Sequence, residues 1–199
     1  MLIRGILLSI TLFTVAVVAA DGPNLATVEH LQAAHRAEMN AEARYLAFAT
    51  KADEEGYKQV ASLFRAVARA EQILYTYHFD AIKELGAVPE DVVTGEVTVA
   101  STKDNLEKSS DKAAGDQLDS EYTGYAKAAR GEGNRTAAKV FDYARLVEAQ
   151  NFRLFAGAAK NMDHMRGNPS GYFICGLTGF VSVTMDPANC GSPDWERVR

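Results

Sequence analysis

The 199-residue sequence predicts an all-α protein, a four-helix bundle with a long central crossover and a small C-terminal appendage. Three observations predict it. Apolar residues recur in alternating steps of three and four along four segments, each closed by glycine or proline. Residues 86–103 carry no such period and read as the crossover. The two halves of the chain repeat at a shift of 77 positions.

The N-terminal twenty residues stand apart. Arg4 gives a positive start, an apolar stretch runs from Ile6 to Val18, and Val18-Ala19-Ala20 supplies small residues before Asp21. Residues 1–20 therefore read as a secretory signal cleaved after Ala20, with an uncleaved anchor as the alternative; the stretch is short for a span that needs roughly 20 apolar residues. A periplasmic or extracellular location follows, where thiols become disulfides.

Residues 21–166 are assigned to the bundle. The first helix follows Leu31, Ala34, Ala41, Tyr45, Phe48 and Ala52 to a break at Glu55-Gly56. The second follows Val60, Phe64, Val67, Leu74, Ile82 and Leu85 and stops at Gly86 and Pro89. Asp104 with Glu107 suggests a capping box opening a third helix through Leu118, Tyr122, Tyr125 and Ala129, which Glu132-Gly133 ends. The fourth carries Val140, Phe141, Ala144, Phe152, Phe155 and Met162 before Gly167 and Pro169. The repeat maps Tyr45 onto Tyr122, Ala52 onto Ala129, Glu55-Gly56 onto Glu132-Gly133, Phe64 onto Phe141 and Glu71 onto Glu148, so one helix pair is used twice.

A net charge of -5 without any run of Lys or Arg leaves no electrostatic footprint for nucleic acid or an anionic membrane surface. The informative charges lie inside. Glu38 falls between Ala34 and Ala41, Glu71 between Val67 and Leu74, and Glu148 between Ala144 and Phe152, all on inward faces. A lone ionised carboxylate in an apolar core is costly, so each must be protonated, hydrogen-bonded or bound to a cation. Carboxylates on facing helices are how bundles hold iron or manganese.

The motifs Ala37-Glu38, Arg44-Tyr45, Glu55-Gly56-Tyr57, Leu63-Phe64 and Glu71, then Asn105-Leu106, Glu132-Gly133-Asn134, Val140-Phe141 and Glu148, resemble the ferritin-like diiron domain of rubrerythrins. The tail, residues 167–199, resembles the family's rubredoxin-like module in Tyr172-Phe173-Ile174-Cys175, Gly179-Phe180 and Cys190-Gly191-Ser192-Pro193. The resemblance implies a bundle with a long crossover, a small β-and-loop module, and peroxide reduction at two irons supplied with electrons by the rubredoxin-like iron.

The departures bear directly on function. The family's histidines, three residues after the glutamates of the second and fourth helices, are replaced by Leu74 and Asn151, and its glutamate pair on the third helix maps onto Ala114 and Gln117. Asp116, with Gly115 before it and Asp119 after it, is a displaced version of the lost motif. Two residues turn a helix by about 200°, which directs these aspartates outward unless a bulge intervenes. Asp116, Gln117 and His78 stand as accessory ligand candidates, with Glu121 one turn further along; a packed histidine is the commoner use of His78, as of His30 and His35. The metal candidates are thus Glu38, Glu71 and Glu148, against the reading that all three are relics, neutral and hydrogen-bonded among themselves or to Gln117, Asn151 or a tyrosine such as Tyr45.

In the tail, the family's two Cys-x-x-Cys knuckles read Cys175-Gly176-Leu177-Thr178 and Pro187-Ala188-Asn189-Cys190. Two thiols cannot hold rubredoxin iron. The resemblance places one on each facing knuckle, which implies a Cys175–Cys190 disulfide contributing about 3 kcal/mol to the module. No catalytic residues are assigned. The expected function is a noncatalytic exported scaffold or interaction subunit, with protein partners or a homo-oligomer and either no cofactor or residual iron or manganese. The alternative is a residual metalloprotein in metal storage or peroxide-related oxidoreductase chemistry; a full rubrerythrin-type peroxidase would need electrons from a partner.

Overall fold

The computed structural model describes residues 24–167, 171–185, 190–191 and 194–199. The expected signal segment lies outside them, as does Pro187-Ala188-Asn189 of the second knuckle. Helices α1 (Leu25–Glu54) and α2 (Lys58–Glu84) form one antiparallel pair; α3 (Thr102–Ser109), α4 (Lys112–Gly131) and α5 (Arg135–Lys160) form the other half of the bundle, followed by a 3₁₀ turn at Met162–Met165. No helix among the described residues is long and apolar enough to cross a membrane.

The two sharp interhelix turns are built alike. Gly56 and Gly133 take positive φ, 81° and 83°, where a side chain would be strained. In each, the next amide reaches back to the helix, Tyr57 to Ala52 O and Asn134 to Ala129 O, both at 2.8 Å, closing the helix in a Schellman motif. The glutamate before each glycine then caps the opposite half. Glu132 accepts from the amides of Ala26 and Thr27 at the start of α1, and Glu55 accepts from the Thr102 amide at the start of α3. Hydrogen bonds from the side chains of Thr27 and Thr102, then from these amides, hold both carboxyls below their ordinary range, and the contacts tie the halves in pseudo-twofold register.

The crossover between α2 and α3 is an extended strap. The Gln32 amide clamps it from both sides, donating to Val88 O at 2.8 Å and accepting from Glu90 N at 3.0 Å, and Asn40 Oδ1 accepts from Gly95 N at 3.1 Å. Its far end is closed by Asn105, whose side chain exchanges two hydrogen bonds with the Ala100 backbone.

The third helix departs from expectation because it is two helices. Ser101, not Asp104, caps α3, taking the Asp104 amide on its hydroxyl. Ser109 and Ser110 bond back to the carbonyls of Asn105 and Leu106, and Asp111 offers its carboxylate to the Ala114 amide at 2.8 Å, restarting the helix as α4. Short polar side chains that compete for backbone groups interrupt helices in this way. After the break, α4 keeps its first turns in solvent and buries Tyr122, Ala126 and Ala129.

The core holds two aromatic clusters related by the 77-residue shift. Tyr45, Phe48, Phe64 and Phe155 pack with ring centroids 5.1–6.3 Å apart. Their counterparts Tyr122, Tyr125, Phe141 and His78 pack likewise, at 5.4–6.3 Å. His78 therefore occupies in one half the place that Phe155 occupies in the other, a ring position of the core.

The tail forms a small antiparallel sheet, order β2-β1-β3, from β1 (Tyr172–Cys175), β2 (Val181–Ser182) and β3 (Trp195–Val198). The Cys175–Cys190 disulfide is formed. The sheet docks on α2 and α5 through Tyr77, which donates to Leu177 O, through the Arg69–Glu196 ion pair at 2.9 Å, and through Gln150, which accepts from Val181 N at 3.0 Å.

Candidate metal centre

Between the aromatic clusters, α1 contributes Glu38, α2 Glu71 and α5 Glu148, with one oxygen of each within 4.8 Å of the others. Glu71 is fully buried and Glu38 is 3% exposed. Tyr122 on α4 donates to Glu38 Oε1, and Asn151 Nδ2 donates to Glu71 Oε1 at 3.3 Å. Glu71 Oε2 is buried with no amide or hydroxyl donor beside it, and the Glu38 and Glu148 carboxyls lie within hydrogen-bond reach of the Glu71 side chain. The guanidinium of Arg44 lies over the Tyr45 ring, 5.0 Å from its centroid, and its field reaches Glu71 and Glu148.

Burial and mutual repulsion set the protonation of the cluster. Burial, then the charges of Glu148 and Glu38, raises Glu71 well above the carboxylate range. Burial, then Glu38, pushes Glu148 up to about 8, with Arg44 opposing. The phenols follow: burial and the nearby carboxylates raise Tyr122 and Tyr45 above an ordinary tyrosine. Three carboxylates this close cannot all ionise in an apolar sheath without a cation among them.

The accessory candidates fall elsewhere. Asp116 is exposed and pairs with Lys112, Asp119 pairs with Arg145 at 2.9 Å, and exposed Gln117 donates to Glu121 at 2.9 Å. From Lys112 to Gly131 α4 is an unbroken α-helix, so the turn of about 200° carries the aspartates outward. His78 is buried with both ring nitrogens unpartnered and stands outside the glutamate group; burial, aided by His35, pushes it down to about 3. His35 is packed too, with Nδ1 3.0 Å from Tyr75 O, and His30 stacks on Tyr125. Sequence reasoning missed Tyr122 as the phenol that meets Glu38, having favoured Tyr45. The repeat held the clue, because it makes Tyr122 the counterpart of Tyr45.

A cleft of about 630 Å³ opens beside the cluster between α1, the end of α3, the first half of α4 and α5, walled by Tyr45, Phe48, Tyr122, Phe152 and Phe155. The 77-residue shift explains its position, since the counterpart of Glu38 in the repeat is Gly115. A Cβ there would lie 3.1 Å from the Phe152 ring, so α4 leans on Phe152 at the place where a second inward carboxylate would stand.

The family model for rubrerythrin matches residues 29–158. The chain belongs to the rubrerythrin family. It is 29% identical to nigerythrin of Nitratidesulfovibrio vulgaris over 164 residues, covering 82% of this chain and 80% of that one. It is 27% identical to rubrerythrin-2 of Clostridium acetobutylicum over 169 residues, covering 84% and 91%. Among solved structures, nigerythrin in a mixed-valence state superposes with a TM-score of 0.71 at 28% identity, over 84% of this chain and 80% of that one. The Desulfovibrio desulfuricans bacterioferritin shares the fold, with a TM-score of 0.67 at 18% identity over 74% and 90%.

Against that family background, the residues here do not fit a pair of irons. A two-metal centre in such bundles draws a Glu from each of two helices and a Glu-x-x-His from each of the others. This rubrerythrin-family chain has buried, apolar Leu74 at one histidine place, Asn151 bonded to Glu71 at the other, and no inward carboxylate on α4. The set that remains, three carboxylates and no nitrogen, suits one hard divalent ion.

Proposed function

We propose that this rubrerythrin-family protein is exported and holds a single divalent cation, Mn²⁺ or Fe²⁺, at Glu38, Glu71 and Glu148, in place of two-iron peroxide reduction. The observation that carries the reading is the convergence of three carboxyl groups from three helices, one oxygen of each within 4.8 Å of the others, with Glu71 fully buried among them. A cation among them offsets the burial and mutual repulsion that raise Glu71 and Glu148. When bound, the ion would contribute charge neutralisation and, for Fe²⁺ or Mn²⁺, access to redox chemistry. The chain's own contribution is to orient the donors, with Tyr122 fixing Glu38 and Asn151 fixing Glu71. Export is supported by the apolar N-terminal segment and by a disulfide where the family carries thiolate knuckles.

A second reading, a noncatalytic scaffold acting through protein partners or a second copy of itself, is favoured by those same two hydrogen bonds, which also satisfy neutral carboxyls. Titrating EDTA-stripped protein with Mn²⁺ by calorimetry separates the two. One equivalent bound, and none by Glu71→Gln, supports the cation site. No binding by the wild type at pH 8 supports the scaffold, and two equivalents of iron with peroxide turnover would overturn both.

A further inference from the structure

We infer that His35 and His78 form a second metal site, apart from the carboxylates, that holds one copper(I) ion between two imidazoles. The first observation is what His78 lacks. It is fully buried on α2, and neither Nδ1 nor Nε2 has a hydrogen-bond partner. Packing does not ask for an imidazole there, because the 77-residue shift makes Phe155 its counterpart in the other half, and a buried polar atom left unpaired costs stability. One nitrogen of a neutral imidazole carries the proton, and the other offers a lone pair.

The second observation is how His35 is held. It is buried on α1, with Nδ1 3.0 Å from the carbonyl oxygen of Tyr75. A carbonyl only accepts, so Nδ1 carries the proton and Nε2 keeps its lone pair, with no hydrogen bond of its own among the described residues. Histidines that ligate metals are oriented in this way, by giving the other ring N–H to a carbonyl. The His35 ring lies against those of Tyr75 and Phe79, at 5.8 and 5.9 Å between centroids, so it sits over the turn of α2 that contains His78. The two imidazoles are near enough to feel each other's charge. Burial, then His35, pushes His78 down to about 3, which keeps it a neutral donor at ordinary pH. Phe79 is exposed, and the way in runs beside its ring.

The donor set selects the ion. No acidic side chain joins the pair, since among the described residues the three glutamates are the only group of three ligating side chains. Two neutral nitrogens beside the rings of Tyr122 and Phe141 would leave a divalent ion's charge uncompensated in an apolar place. A monovalent ion avoids most of that penalty. Copper(I) is soft, accepts imidazole, and is satisfied by two donors in line. The chain's two cysteines, which would compete for it, are locked in the Cys175–Cys190 disulfide. Glu71 lies two turns back along α2, roughly 10 Å away, so neither site borrows the other's donors and this inference stands apart from the proposed cation.

The test is titration of the full, metal-stripped chain with copper(I), kept reduced by ascorbate and buffered by bicinchoninate. One equivalent is expected to bind, with a Kd below about 1 μM. His78→Phe should weaken it about a hundredfold, at least the loss caused by removing an outer partner of a metal ligand. That variant should fold, because it supplies the ring that Phe155 supplies in the other half; thermal melts check this. His35→Gln keeps a donor for the Tyr75 carbonyl and should weaken copper(I) as much. X-ray absorption of the loaded chain should show two imidazole nitrogens at the copper. No binding by the wild type, undiminished binding by either variant, tighter binding of Zn²⁺, or carboxylate oxygen at the copper overturns the assignment. Mn²⁺ added to the copper-loaded chain reads the carboxylate site separately, so either site can fail alone.

Discussion

In the first half of the repeat, α1 and α2 bury an unbroken face from Leu31 to Ile82 and contribute Glu38 and Glu71 to the cluster; in the second, α4 starts in solvent and α5 alone contributes Glu148. The aromatic clusters and the reciprocal caps by Glu55 and Glu132 are nevertheless symmetric. The difference teaches that the fold and the metal set are separable. Packing and capping keep the second half folded, while the residues that would make it a ligand donor have been replaced by Ala114, Gln117 and Asn151.

The sharpest break of this comparison is in the core. Phe64→Ala, in the fully buried first cluster, should cost about 3–5 kcal/mol in urea unfolding. Leu118→Ala, on the half-buried stretch of α4, should cost about 1 kcal/mol or less. Similar values would mean that α4 is packed as tightly as α2.

Titration separates the halves at intermediate size. Glu148 is raised from 4.5 to about 8, so between those pH values the folded state holds a proton that the unfolded state has lost, and stability should fall as pH rises through that window. Glu148→Gln should make the fall shallower, with a gain above 1 kcal/mol at pH 8 in metal-free protein. Saturating Mn²⁺ should instead stabilise the wild type most at alkaline pH, where the carboxylates are ready to bind. His78 has the opposite sign. Its pKa falls from 6.5 to about 3, the unfolded state binds the extra proton in that window, and stability should drop as pH falls from 6.5 towards 3. His78→Phe, which restores the ring that Phe155 provides in the other half, should remove that acid-side loss and stabilise by about 1–2 kcal/mol in thermal melts at pH 5. A destabilised variant would show that the unpartnered imidazole nitrogens serve a purpose beyond packing.

The smallest effect concerns Gly115. Ala there gains about 0.5–1 kcal/mol of helix propensity but brings a Cβ to 3.1 Å from the half-buried Phe152 ring, which can give. A net stabilisation of about 0.5 kcal/mol is expected by urea unfolding, and a net loss would mean that Phe152 is held rigidly against α4.

What the sequence by itself determined is the periodic part of this protein. Helical faces, the Glu-Gly turns, the internal repeat and the inward places of Glu38, Glu71 and Glu148 follow from local spacing, because a 3.6-residue period fixes which residues share a face. Tertiary structure decided the rest. The break at Ser110, the outward aspartates, Tyr122 on Glu38, and His78 in a phenylalanine's place depend on which backbone groups compete locally and which helix lies opposite. The cleft is the clearest case. It is a volume left between four helices, and no linear pattern records a space that side chains fail to fill.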